Sequence, residues 1–147
     1  MKEVRSAEAM QATVRTSPDY PGRLEGLPAR SVRLVRALGA RDATRLFPLI
    51  MEECDSFRNV CETTRPPLDY LTPASRAVLA EVRGINRELG RPVAAYTHDA
   101  GAHVHVFTLA RDVEKVRRRL GRLPGVERTL RVHPGPGGRR LRSGDRA

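Results

Sequence analysis

Through the first ninety residues the apolar positions recur at helical spacing. Residues 4–16 are predicted as a helix: Ser6 caps it, it runs from Ala7, and Met10 and Val14 lie one turn apart. Thr16-Ser17-Pro18 ends it, and Pro21-Gly22 is a second punctuation. A helix over 28–39 follows, opened by Pro28 and closed by Gly39, with Val32, Val35 and Leu38 as its buried stripe. Asp42 caps the next helix, about 43–63. Its stripe is Leu46, Leu49 or Ile50, Phe57, Val60 and Cys61, and Pro48 falls within its first turns.

Past Pro66-Pro67 the pattern shortens. Leu68–Leu71 reads as a strand or an extended linker. Thr72-Pro73 is a cap and first-turn pair. The helix it opens carries Ala77, Val78, Val82, Ile85 and Leu89 and stops at Gly90. Two apolar runs, 92–98 and 103–109, then read as paired strands. Asp112 starts a helix with the stripe Val113, Val116, Leu120 and Leu123. Pro124-Gly125 is a turn, Val126–Val132 a third strand, Pro134–Gly138 another turn, and 139–142 a short last strand. Helices followed by strand, strand, helix and strand predict an α+β fold, with helices on one face of a mainly antiparallel sheet. No repeat and no linker divides the chain.

Between the paired strands lies Ala95-Tyr96-Thr97-His98-Asp99-Ala100-Gly101, which delivers one carboxylate into a turn containing glycine. Two readings are open. A carboxylate at a strand end, beside a glycine that lets a ligand approach the backbone, presents a catalytic acid or base. Alternatively, Asp-Ala-Gly is hairpin turn chemistry. His98, Asp99, His103 and His105 form a cluster; His103 and His105 are two apart and share a strand face, so with Asp99 they form a candidate set of two histidines and a carboxylate for a metal. The opposing reading places both histidines on a polar face, opposite core-facing Val104 and Val106. The expectation is that no metal is bound there.

At 147 residues the chain is long enough for one domain with a real core. The net charge of +10 raises a nucleic-acid reading. It is set aside because 25 of the 27 basic residues are arginine, spread along the chain, with 4% aromatic content and no stacking platform. Arg117-Arg118-Arg119 is read as the solvated face of a helix. No apolar run of membrane-spanning length and no signal-peptide core is present, so no membrane partner and a cytoplasmic location are expected. Cys54 and Cys61, two helical turns apart, are predicted to be free.

Four segments, in order, are similar to the diphosphomevalonate decarboxylase family of the GHMP kinase superfamily, in its C-terminal portion. Ser6–Ser17 (SAEAMQATVRTS) resembles the family's Ser-x-x-x-Met segment with its following Thr-Ser. Met51–Cys61 (MEECDSFRNVC) resembles the helix with Ser-x-x-Phe/Met-His-Ala. Arg65–Thr72 (RPPLDYLT) resembles the Pro-Pro-x-x-Tyr segment. Ala95–Val106 (AYTHDAGAHVHV), the most specific, resembles Tyr-Thr-x-Asp-Ala-Gly-Pro-Asn.

The resemblance implies a ferredoxin-like GHMP kinase C-terminal domain over 1–143, lacking an N-terminal strand, with a frayed tail at 144–147. It implies an ATP- and Mg²⁺-dependent decarboxylase that converts 5-diphosphomevalonate to isopentenyl diphosphate. Asp99 maps onto the catalytic aspartate beside the substrate's tertiary alcohol. Ser6, Gly101 and His103 map near the substrate. The family's ATP loop and its carboxylate-gripping arginine belong to an N-terminal half and are not in this sequence. The chain is therefore expected to be a C-terminal piece, from a truncated gene, a fragmentary gene model or a split enzyme. ATP and Mg²⁺ are expected on the complete enzyme and not on this chain alone. An N-terminal half or a second copy is the expected protein partner.

Ala102-His103 stands where the family has Pro-Asn, Arg58 where histidine is usual, and Ala9 where glycine is usual. These departures keep two alternatives open: a decarboxylase of the monophosphate, and a non-catalytic partner module.

Overall fold

The structure, a computed structural model, describes residues 6–135 and 137. Within them the order is α1 (Ser6–Thr16), α2 (Tyr20–Gly39), α3 (Ala43–Glu62), α4 (Pro73–Glu88), β1 (Ala94–His98), β2 (Val104–Thr108) and α5 (Val113–Leu120). The α+β class stands, and β1 and β2 pair antiparallel with Tyr96 opposite Val106 and His98 opposite Val104.

Local chemistry sets most boundaries. Asp42 caps α3 by accepting the amides of Thr44 and Arg45, which satisfies donors that a helix start leaves free. Thr72 does the same for α4 through Ser75, with Pro73 in the first turn. Gly90, at φ +62°, takes the left-handed position that ends α4. Asp112 precedes α5 but makes no side-chain cap bond there.

The core is built where α4, α5 and the hairpin meet. Val82, Ile85, Ala94 and Tyr96 are fully buried in it, joined by Leu79, Val93, Val116 and Leu120. Burying a side chain such as Ile85 stabilises by about 1.5–3 kcal/mol. Both α3 and α4 pack on β1, which is buried along nearly all its length. β2 alternates: Val104 and Val106 turn to the core, while His105 and Phe107 are exposed. Asn86 of α4 ties the strand start, accepting the amides of Val93 and Ala94 and donating to the Ala94 carbonyl. The end of α1 is held by hydroxyls, Thr13 to Thr64 at 3.0 Å and Ser17 to Thr63 at 2.8 Å.

Three expectations fail. The helix predicted over 28–39 begins eight residues earlier, because Pro21 sits in its first turn and Pro28 is absorbed inside it. Its supposed buried stripe is exposed: Val32, Val35 and Leu38 are 49%, 65% and 58% accessible. Instead α2 presents Ala37, Leu34 and two arginine stems to α3, with Arg23 and Arg30 both paired to Glu53. Finally, 126–132 is not a strand. Val126 packs on the core, but Leu130 and Val132 are exposed and no neighbouring strand among the described residues pairs with the segment. Leu68–Leu71 is extended, without ladder bonds. The strand expected at 139–142 and the tail at 144–147 lie outside the described residues.

Candidate active site

The antiparallel register ends at His98 and Val104, and residues 99–103 form the connection. Its far side is tied to the start of α4. The Ser75 hydroxyl donates to the Ala102 carbonyl at 2.6 Å, and the Thr72 hydroxyl lies 2.9 Å from it. Since Ser75 spends its proton on Ala102, Thr72 donates to Ser75. The cap of α4 and the position of the turn are one hydrogen-bonded unit.

Asp99 is exposed and stands at the mouth of a cleft of about 240 Å³ between α2, α3 and the end of β1. Thr97 and His98 come from the strand, Glu53, Cys54 and Phe57 from α3, and Arg23 from α2. Residues 53 and 57 are one turn apart on α3, so both reach the same wall. Arg23 pairs with Glu53 and lies over the Phe57 ring, 5.8 Å from its centroid, a cation–π arrangement. The Phe57 and His98 rings are 6.4 Å apart and tilted. The Cys54 thiol is buried, and that burial pushes its pKa up; it is held as a neutral wall group.

Gly101 does not sit in a primed hairpin turn. Its backbone is not in the left-handed region, and a Cβ built there meets no atom within 4 Å. A primed hairpin turn would require positive φ at its glycine. Neither backbone conformation nor internal packing calls for glycine at 101, and open space lies on that side.

The metal set does not form: among the described residues no three metal-ligating side chains converge. His103 is exposed in the turn, and His105 is exposed on β2 opposite Thr97. Ser6 begins α1, but its side chain lies outside the described residues. Arg58, where the family motif has histidine, is accommodated by Asp55 at 3.5 Å and Glu62 at 3.6 Å. Arg117 and Arg119 pair with Glu114, Glu81 and Glu88, as a solvated helix face would. A second hollow, about 290 Å³, is a trough along α1 formed by Met10, Gln11, Val14 and Arg15 alone; one helix surface offers no converging chemistry.

Arg23 carried no local signal in the sequence as a cleft residue, and His98 stood out only as a member of the histidine-rich stretch around Asp99. The i, i+4 pair Glu53 and Phe57 did carry one, once α3 is drawn as a helix.

A family model, the mevalonate 5-diphosphate decarboxylase C-terminal domain, matches residues 1–132. This chain belongs to that family. Among its curated relatives, diphosphomevalonate decarboxylase mvd1 of Aspergillus fumigatus is 36% identical over 116 residues, covering 78% of this chain and 29% of the relative. The Schizosaccharomyces pombe diphosphomevalonate decarboxylase is 36% identical over 120 residues, covering 81% and 30%.

Solved structures agree. Mevalonate diphosphate decarboxylase from Trypanosoma brucei superposes with a TM-score of 0.74 at 30% identity, covering 91% of this chain and 42% of that one. The structure described as MDDEF in complex with MVAPP, AMPPCP and magnesium gives a TM-score of 0.76 at 28% identity, covering 85% and 38%. The chain spans about 30% of the length of the curated relatives it matches. It is thus similar to the C-terminal portion of these decarboxylases. Among the described residues no helix is long and apolar enough to cross a membrane.

Proposed function

We propose that this chain supplies the substrate-facing carboxylate of an ATP-dependent decarboxylase that converts 5-diphosphomevalonate to isopentenyl diphosphate in the cytoplasm. The reading is carried by Asp99, exposed at a cleft mouth with open space beside Gly101. In this role Asp99 accepts the hydrogen of the substrate's tertiary alcohol and aligns its oxygen for phosphorylation, after which phosphate and carbon dioxide leave. A tertiary alcohol is a weak nucleophile, so a carboxylate within hydrogen-bond reach supplies orientation and a proton acceptor. Gly101, His103 and Ser6 are assigned to the substrate's surroundings.

The described residues do not fit ATP or Mg²⁺. No glycine-rich loop opens a helix: α3, α4 and α5 begin at Asp42, Thr72 and Asp112 instead. No carboxylate cluster is placed to hold a cation. In this reading ATP and Mg²⁺ are held by an N-terminal half, and this chain alone binds neither.

The test is reconstitution with the N-terminal half of a relative and measurement of phosphate release from 5-diphosphomevalonate. Asp99→Asn lowers turnover by about 10²–10⁴-fold with the fold intact. Turnover unchanged by that substitution removes Asp99 from the chemistry. Isothermal titration of the chain alone with ATP shows no heat; tight binding overturns the division of labour.

A further inference from the structure

His98 is costly where it stands. It is 4% exposed and faces Phe57 across 6.4 Å, with Cys54 in the same wall. One of its two nitrogens, Nε2, is buried with no hydrogen-bond partner among the described residues. An apolar side chain of similar size would carry no such penalty. The ring's hydrogen bond is to the Asp99 carbonyl, 3.0 Å from Nδ1. A carbonyl only accepts, so Nδ1 carries the proton. The same carbonyl accepts the Gly101 amide at 2.8 Å. Both of its lone pairs are engaged, one by a buried ring anchored in the wall and one by the turn itself.

We infer that His98 is a positioning residue for Asp99. Its Nδ1–H holds the peptide that follows the Asp99 Cα, and so fixes where the carboxylate stands at the cleft mouth. The inference rests on the reading of Asp99 as the group that meets substrate. It adds the device that holds that group still in the connection between β1 and β2.

Two amide substitutions separate the ring's two ends. The side-chain nitrogen of His98→Asn reaches where Nδ1 does, whereas that of His98→Gln reaches where Nε2 does. His98→Phe keeps the ring and removes both. On the full-length ¹⁵N-labelled chain, backbone order parameters of residues 99–101 are measured for all four proteins. Wild type and His98→Asn stay near ~0.85, while His98→Gln and His98→Phe fall below ~0.6. Equal order in all four, or equal loss in all three variants, overturns the inference.

The second readout is the Asp99 carboxyl ¹³C resonance in the complex reconstituted with the N-terminal half, on adding mevalonate 5-diphosphate. Its apparent Kd holds within about twofold in His98→Asn and weakens about tenfold in the other two, the loss of one ordinary hydrogen bond. If binding in His98→Gln and His98→Phe equals wild type, His98 does not position Asp99 for substrate. If wild type itself shows no Asp99 response, the functional reading of Asp99 fails, while the order parameters still decide whether the ring clamps the turn.

Discussion

The Tyr96 hydroxyl stands 3.0 and 3.1 Å from the two carboxylate oxygens of Asp55 and donates to that carboxylate. The bond joins the middle of β1 to α3 three residues before Asp99. Arg83 of α4 completes the joint, donating to the same carboxylate at 2.6 Å and lying over the Tyr96 ring at 5.4 Å. Three elements therefore meet on one carboxylate.

Tyr96→Phe removes that donor and leaves Asp55 with its arginines. A bond to a charged group is worth about 2 kcal/mol, so the melting temperature falls by roughly 4–8 °C in calorimetry. There is also a pH signature. Burial, then the charge of Asp55, raises the Tyr96 pKa well above its ordinary value of 10. The folded state thus holds its proton after the unfolded chain has released it. Stability is fully present below about pH 10 and is lost as pH rises above it. The loss is smaller in Tyr96→Phe, where Tyr70, Cys54 and Cys61, all raised by burial, still contribute. Alkaline denaturation profiles that coincide for the two proteins would exclude this assignment.

Gly101→Ala separates folding from function. The residue needs no left-handed backbone and a methyl group there meets nothing. Reduced freedom in the unfolded chain then makes the variant equal to wild type or more stable by about 0.4–1 kcal/mol. On the proposed role of Asp99, the KM of the reconstituted enzyme for 5-diphosphomevalonate rises, because the methyl fills the open space at Gly101. A destabilised Gly101→Ala would return the glycine to ordinary turn chemistry.

Ser75→Ala cuts the tie between the α4 cap and the turn. The Ala102 carbonyl loses its 2.6 Å donor and Thr72 its acceptor. About 1 kcal/mol is lost in denaturant unfolding, and amide exchange quickens at residues 99–103 more than in α5. Uniform quickening would mean that the bond supports the whole fold and not the turn.

Cys54 and Cys61 are both free and buried, and burial raises both thiol pKa values. Reaction with an aromatic disulfide reagent at pH 8 is slow in the native protein and releases two equivalents in denaturant. Rapid native reaction at Cys54 would show that the wall of the cleft opens readily.

The periodicity of α4 was legible because Val78, Val82 and Ile85 meet an apolar neighbour and little else. The same logic misplaced α2, whose inner side includes two arginine stems paired with one glutamate, Glu53, of α3. A segment's own periodicity cannot register an ionic partner that stands 30 residues from Arg23, on another helix. The third strand was misread for a related reason: alternation at 126–132 describes a strand only if a neighbour supplies the ladder.

By itself the amino-acid order determined the caps at Asp42 and Thr72, the hairpin, and the carboxylate at its end. These depend on neighbours within a few residues, where geometry follows directly from covalent connection. Only the folded chain decided that Arg23, Glu53, Phe57 and His98 converge on Asp99, and that the imidazole spends its proton on the Asp99 carbonyl. Those contacts join three elements far apart along the chain, and close packing is what selects them.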